Sequence, residues 1–210
     1  MLILGINTAG QGCDVVLMEN NLALGQKQDP DARGQDVTLP ALVRSVWADA
    51  GIEPGQIDRI AVVTGPGSFT GIRLGVAFAR GLALALDKPC LGITSLEASL
   101  PPGQQGSAMV LLPAQKRPPD ITYWVQRFRS GTATTDPEEC HIQTLHEELL
   151  ARPHRLFGEA TALQEKAADL PVYPARPTAA RAAALAAERD PALHRPRPNY
   201  ARAPDAVLPT

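Results

Sequence analysis

Apolar residues near the start of the chain come in short runs broken by turn formers. Leu2-Ile-Leu-Gly-Ile6, Cys13-Asp-Val-Val-Leu-Met18 and Leu22-Ala-Leu-Gly25 are separated by Asn7–Gly12 and Glu19–Asn21. That rhythm predicts three short strands in an antiparallel meander. The period then changes: within Thr38–Ala50, Leu39, Leu42, Val43, Val46 and Trp47 recur at helical spacing, and Gly51 supplies a stop. Arg59–Thr64 reads as a buried strand, and a long apolar helix reaches about Leu86. Asp87-Lys-Pro89 ends it, and Cys90–Thr94 is one more strand. Three strands, helix, strand, helix, strand is the order of a ribonuclease-H-like domain.

Pro101-Pro-Gly-Gln-Gln-Gly106 reads as a linker. Beyond it the pattern predicts strands at Ala108–Leu112, Thr122–Phe128 and Arg155–Phe157. Helices are expected at Leu145–Ala151, Ala160–Ala168 and the alanine-rich Thr178–Asp190. The expected organisation is an N-terminal lobe over residues 1–100, a smaller α/β lobe over 107–190 and a proline-rich closing segment over 191–210.

Between the strand at Arg59–Thr64 and the long helix lies Thr64-Gly-Pro-Gly-Ser-Phe-Thr-Gly-Ile-Arg-Leu-Gly75. Strand, glycine-rich turn and helix is a phosphate-binding layout, yet the dinucleotide fingerprint fails because Thr70 occupies the third glycine's place. No Gly-Lys-Ser/Thr closes a P-loop. Gly71 and Gly75 fall inside the helix, where each costs about 1 kcal/mol relative to alanine. With Ala79 they form a smooth strip at four-residue steps, the mark of a close approach by another backbone. Apolar residues lie nearly all round this helix: Ile72, Val76 and Ala83 on one side, Leu74, Phe78 and Leu82 on another. It should therefore be covered on more than one side, by a partner helix or by the second lobe. On the partner reading, Gly75→Leu leaves the monomer folded and blocks pairing.

With 210 residues, 44% of them apolar, the chain can bury a core. A net charge of −2 argues against a stand-alone nucleic-acid binder, and the basic His194–Arg202 stretch is short and broken by proline. The N-terminus lacks the basic flank and long apolar core of a signal peptide. No uninterrupted apolar stretch reaches membrane-spanning length, and Cys13, Cys90 and Cys140 are scattered. Both point to reduced thiols in the cytoplasm. His146-Glu-Glu-Leu-Leu150 starts like a zinc-protease motif but has leucine in place of the second histidine. Cys140 and His141 are adjacent, so their side chains diverge. No catalytic residue, metal site or cofactor is expected.

Ile3-Leu-Gly-Ile-Asn-Thr-Ala9 followed by Gly65–Gly75 resembles the TsaB (YeaZ) family, with weaker similarity at Thr122-Tyr-Trp124 and Pro198–Arg202. The resemblance implies an α/β ASKHA (actin/sugar-kinase-like) fold of two ribonuclease-H-like lobes, the second reduced. It also implies a noncatalytic paralogue of TsaD in making N6-threonylcarbamoyladenosine (t6A) at position 37 of tRNAs that read ANN codons. TsaD is the implied heterodimer partner. TsaE joins through the complex, tRNA is met only indirectly, no membrane is involved, and the chain alone is either a monomer or a homodimer. The implied pairing surface is a bundle of the two N-lobe helices, which places Leu39, Leu42, Val43, Val46, Gly71, Ile72, Gly75, Val76 and Ala79 as candidates.

Asn7 stands where relatives usually carry the aspartate that holds a nucleotide's cation. A neutral amide is a poorer ligand for a hard cation, so Asn7 reads as a degenerate nucleotide/metal position. The loop Gly34-Gln-Asp-Val37 lacks the family's histidine, and Ala114-Gln-Lys-Arg117 replaces its Asp-Ala-Arg motif. An ASKHA-type phosphotransferase or hydrolase is the competing reading.

Overall fold

The computed structural model describes residues 1–10, 12–31, 33–115, 119–167 and 170–199. The meander forms as the short apolar runs and turns predict. Strands β1 (Leu2–Asn7), β2 (Cys13–Glu19) and β3 (Leu22–Asp29) run antiparallel, and Asn20 and Asn21 take the positive φ angles of the tight turn between β2 and β3. Helix α1 spans Gln35–Ala50 and β4 spans Arg59–Val63. Helix α2 covers Phe69–Leu86 and β5 covers Cys90–Ile93. The first sheet has order β3-β2-β1-β4-β5, with β4 parallel to β1 and β5 parallel to β4. This is the ribonuclease-H strand order.

Helix α1 begins at Gln35, three residues before the expected Thr38, and Pro40 lies inside it. A proline after threonine imitates a helix start, because proline suits the first turn and threonine the cap. Here Gly34, in a left-handed conformation, takes the cap position.

A short helix α3 (Ser95–Ser99) leads to the second sheet. This sheet holds β6 (Ser107–Gln115), β7 (Thr122–Arg129), β8 (Thr132–Ala133), β9 (Glu138–His141), β10 (Arg155–Gly158) and β11 (Val172–Pro174). Its order is β11-β10-β6-β7-β8, and β9 also pairs with β7. It repeats the first sheet's plan with the third strand split in two: β8 pairs with Phe128 and Arg129, β9 with Thr122–Val125. Helices α4 (Ile142–Ala151) and α5 (Thr161–Lys166) pack on one face around Leu145, Leu149 and Leu163. The other face carries Val110, Trp124 and Phe128 against Leu96 and Leu100 at α3. The fold is the expected two-lobed ASKHA type with a reduced second lobe. The sequence reading missed β9 because Glu-Glu-Cys-His is polar and short.

Helix α6 (Ala179–Glu188) falls in the stretch expected for the smaller lobe, yet it packs across β1, β2 and β4 of the first sheet. Ala179, Ala182, Ala183 and Ala186 are buried there. Gly5 makes the approach feasible, since a Cβ on it would sit 2.4 Å from the Ala179 carbonyl oxygen. The opposite face of the sheet is covered by α1 and α2. Past α6 the chain runs along β5. The Gly92 amide donates to the His194 carbonyl, and the Asn199 amide to the Thr64 carbonyl, each at 2.8 Å. Lys116, Arg117, Ala168 and residues 200–210 lie outside the described residues.

Candidate functional site

Two surfaces collect the sequence-marked positions. The first is a cleft of about 1010 Å³ between the sheets, reached by the end of β1, the glycine turn and the second sheet's Leu112, Trp124 and Glu159. Asn7, at the end of β1, is 7% exposed, and both ends of its amide are engaged. Its Nδ2 donates to the Pro177 carbonyl at 2.9 Å, and its Oδ1 accepts from the Ala9 amide at 3.1 Å.

Opposite Asn7 in the β1–β2 register stands Asp14, which the sequence reading passed over. It is a buried carboxylate in an otherwise apolar strand, and that contrast is the signal that could have found it. Its Oδ2 accepts from the Ala179 amide at 2.7 Å, and its Oδ1 accepts from the Gln26 and Gln28 amides. Both polar groups at the cleft floor are thus spent on the protein's own backbone and side chains. Among the described residues no group of three or more His, Cys, Asp or Glu side chains lies together as metal ligands.

The other chemical candidates resolve into structure. His141 caps α4, its Nδ1 accepting from the Gln143 amide at 3.2 Å. Burial pushes the thiols up, Cys13 to about 11 and Cys90 to about 12, and it also raises Cys140, so all three stay protonated. His146 is half-buried on α4.

Beside α4, Arg127 holds Glu148 in a two-pronged ion pair and also reaches Glu138. His154 sits against Glu148, its Nδ1 buried without a partner. Burial pulls its pKa below the ordinary histidine range, assisted by Arg127 and Arg152 and opposed by Glu148. The unfolded chain therefore binds more protons here, and stability falls as pH drops through about 6.5 toward the depressed folded value. Urea midpoints measured from pH 7.5 to 5.5 should decline for the native protein. The decline should be shallower for His154→Gln; identical slopes would remove His154 as the cause.

The second surface is the helix pair α1–α2. Leu39, Val43, Val46, Ile72, Val76 and Ala79 are all buried in the first lobe's own core, while Leu42 is half-buried at its margin. Gly71 and Gly75 also turn inward. A Cβ at Gly71 would lie 2.1 Å from the Thr8 carbonyl oxygen, and one at Gly75 2.1 Å from Thr8 Oγ1. The hydroxyl of Thr8 donates to the Gly71 carbonyl at 2.7 Å. The close approach that the glycine strip permits is made by the loop after β1, not by a second helix. This corrects the expectation that Gly75→Leu would leave the monomer folded.

The outward side of α2 is formed by other residues. Thr70, Arg73, Ala77, Arg80, Gly81, Leu84 and Ala85 are exposed, Leu84 at 85%. Arg73 folds over the Phe69 ring at 3.8 Å. Gly81 has nothing within 4 Å of where a Cβ would stand, so no contact among the described residues requires a glycine there. The 18-residue helix has a mean hydropathy of 1.4 and is 33% buried, enough by length and composition alone to cross a membrane. Arg73 and Arg80 lie within it, so it is not an uninterrupted apolar stretch. Its inner side is seated on β4, β1 and β5.

Comparison with known proteins adds to this geometry. Residues 32–173 match the family model of TsaD, described as tRNA N6-adenosine threonylcarbamoyltransferase. The chain is 29% identical over 161 residues to the tRNA threonylcarbamoyladenosine biosynthesis protein TsaB of Escherichia coli, covering 76% of this chain and 69% of that one. It is 33% identical over 138 residues to an uncharacterized protein of Mycobacterium tuberculosis, covering 64% of this chain and 63% of that one. The match to TsaB of Bacillus subtilis, at 29% identity, takes in 52% of this chain and 48% of that protein's length. YeaZ from Pseudomonas aeruginosa superposes with a TM-score of 0.68 at 23% identity, over 95% of this chain and 99% of that one, which establishes the shared fold. By sequence match, the chain belongs to the family whose model is TsaD, tRNA N6-adenosine threonylcarbamoyltransferase, among its TsaB (YeaZ) members.

Proposed function

We propose that this chain is a noncatalytic subunit for t6A synthesis at position 37 of ANN-decoding tRNAs. On this reading it binds TsaD as a heterodimer, reaches TsaE through that complex and acts in the cytoplasm. The observation that carries the proposal is the outer side of α2, where Ala77, Gly81, Leu84 and Ala85 are exposed beside Arg73 and Arg80 and no contact among the described residues requires the glycine. Small residues beside the exposed Leu84 let another helix backbone come close, which suits a helix–helix contact. The residues first expected to meet the partner, Leu39 through Ala79, instead form the packed layer behind that face, with Leu42 at its edge.

The competing reading, an ASKHA-type phosphotransferase or hydrolase, has little to work with at the cleft floor. Asn7 offers no carboxylate, and both oxygens of Asp14 already accept hydrogen bonds. The test is reconstitution. With TsaC, TsaD, TsaE, ATP, bicarbonate, threonine and a substrate tRNA, t6A should form only when this chain is added. Full-rate synthesis by its own TsaD without it would overturn the assignment. Steady ATP hydrolysis by the isolated chain, abolished by Asn7→Ala, would favour the alternative.

A further inference from the structure

The segment joining the second sheet to α6 is fastened to the first lobe at an unusual number of points. The Asn7 amide donates to the Pro177 carbonyl, and the next amides along are received in turn. Thr178 N–H donates to the Ala98 carbonyl at 3.2 Å, and Ala179 N–H to Asp14 Oδ2 at 2.7 Å. At the other end of α6, Arg59 donates to the Ala186 and Arg189 carbonyls, and Arg189 pairs with Glu97 at 2.7 Å. Gly5 lets the first turn of α6 rest directly on β1.

Asn7 is the member whose chemistry cannot be exchanged. A carboxylate at the same place could accept from Ala9 but could not donate to Pro177. It would set a negative oxygen against a carbonyl oxygen, in a cleft whose described lining already holds Asp14, Asp29 and Glu159 against Arg176. A buried acceptor facing another acceptor loses its hydrogen bond and pays desolvation as well.

We propose that Asn7 and Asp14 are a latch that ties the crossover 177–179 to the first sheet and fixes the width of the inter-lobe cleft without any ligand. Two-lobed folds with a free hinge close around what they bind. Here the amide takes over from a ligand the task of joining the lobes, and their relative setting is constant. The inference rests on intramolecular contacts alone, so it stands or falls independently of pairing with TsaD.

The chain has two tryptophans, and Trp124 lines the cleft from the second sheet. In a Trp47→Phe background, which removes a buried indole N–H that has no partner, Trp124 is the sole reporter. Asn7→Asp and Asn7→Ala should each raise acrylamide quenching of Trp124 at least twofold. Each should also speed amide exchange of Thr178 and Ala179 at least tenfold, with the exchange of β4 unchanged. Asn7→Asp should show the larger effect. Parental quenching and exchange in Asn7→Ala would overturn the latch, whatever Asn7→Asp does. Global loss of folding in Asn7→Asp alongside parental behaviour of Asn7→Ala would also overturn it, as simple charge burial.

Discussion

Gly75→Leu should unfold the first lobe at a lower temperature, with a net loss of about 1–3 kcal/mol, or roughly 2–12 °C for a chain of this size. The new Cβ alone would fall 2.1 Å from Thr8 Oγ1, and Thr8 is wholly buried. Overpacking of this kind costs about 1–3 kcal/mol. Moving the Thr8 hydroxyl also breaks its hydrogen bond to the Gly71 carbonyl, worth about 1 kcal/mol. The gain in helix propensity, about 0.8 kcal/mol, offsets part of the loss. Thermal unfolding followed by circular dichroism reads the result. A melting temperature within two degrees of the parent would mean that Thr8 yields easily and the strip is not tightly packed.

Gly81→Glu, six positions further along the same helix, should do the reverse. Nothing lies within 4 Å of its missing Cβ, and the site is exposed. A helix former in place of glycine stabilises an exposed helix by roughly 0.5–1 kcal/mol, so the melting temperature should hold or rise. If the outer face of α2 is where TsaD docks, the same substitution places a carboxylate in a closed apolar contact. The loss should be about 100-fold or more in affinity, since every 1.4 kcal/mol is tenfold and an unpaired buried charge costs several kcal/mol. Titration calorimetry or co-purification with TsaD measures it. Unchanged affinity with a raised melting temperature would move the docking surface off α2. Loss of self-association alone, with TsaD binding intact, would reassign this face to a homodimer.

These paired outcomes show what was legible in the sequence and what was not. Short apolar runs bounded by turn residues locate β1 to β5, and apolar positions at helical spacing locate α1 and α2. The ribonuclease-H order follows from their succession, and the ASKHA fold was implied by the family resemblance. Helix spacing also marks Gly71 and Gly75 as unusual, yet periodicity states that a glycine is needed without naming its neighbour. Thr8 lies 63 residues before Gly71, and its contact with the helix exists only once β1 is paired beside β4. For the same reason Leu39, Val43 and Ile72 could be recognised as an apolar side while the direction of that side stayed open. At the cleft, Asn7 stood out through the family resemblance, which implies an aspartate at that place. Its bond to Pro177 spans 170 residues, and no local pattern encodes it. Asp14 was hidden by an apolar strand that looked complete without it.

The return of the chain from the second sheet to the first has a bearing on synthesis. One face of the first sheet is covered by α6, whose contacts with β1, β2 and β4 join the two ends of the polypeptide. A ribosome that has released residues 1–100 has produced all five strands of that sheet but not its lid. Val16, Ile3 and Met18 therefore remain open to water until residue 188 has emerged. The first-made lobe is in this sense the last to be finished. Separating the two lobes at Pro101–Gly106 would leave the larger one permanently without its cover.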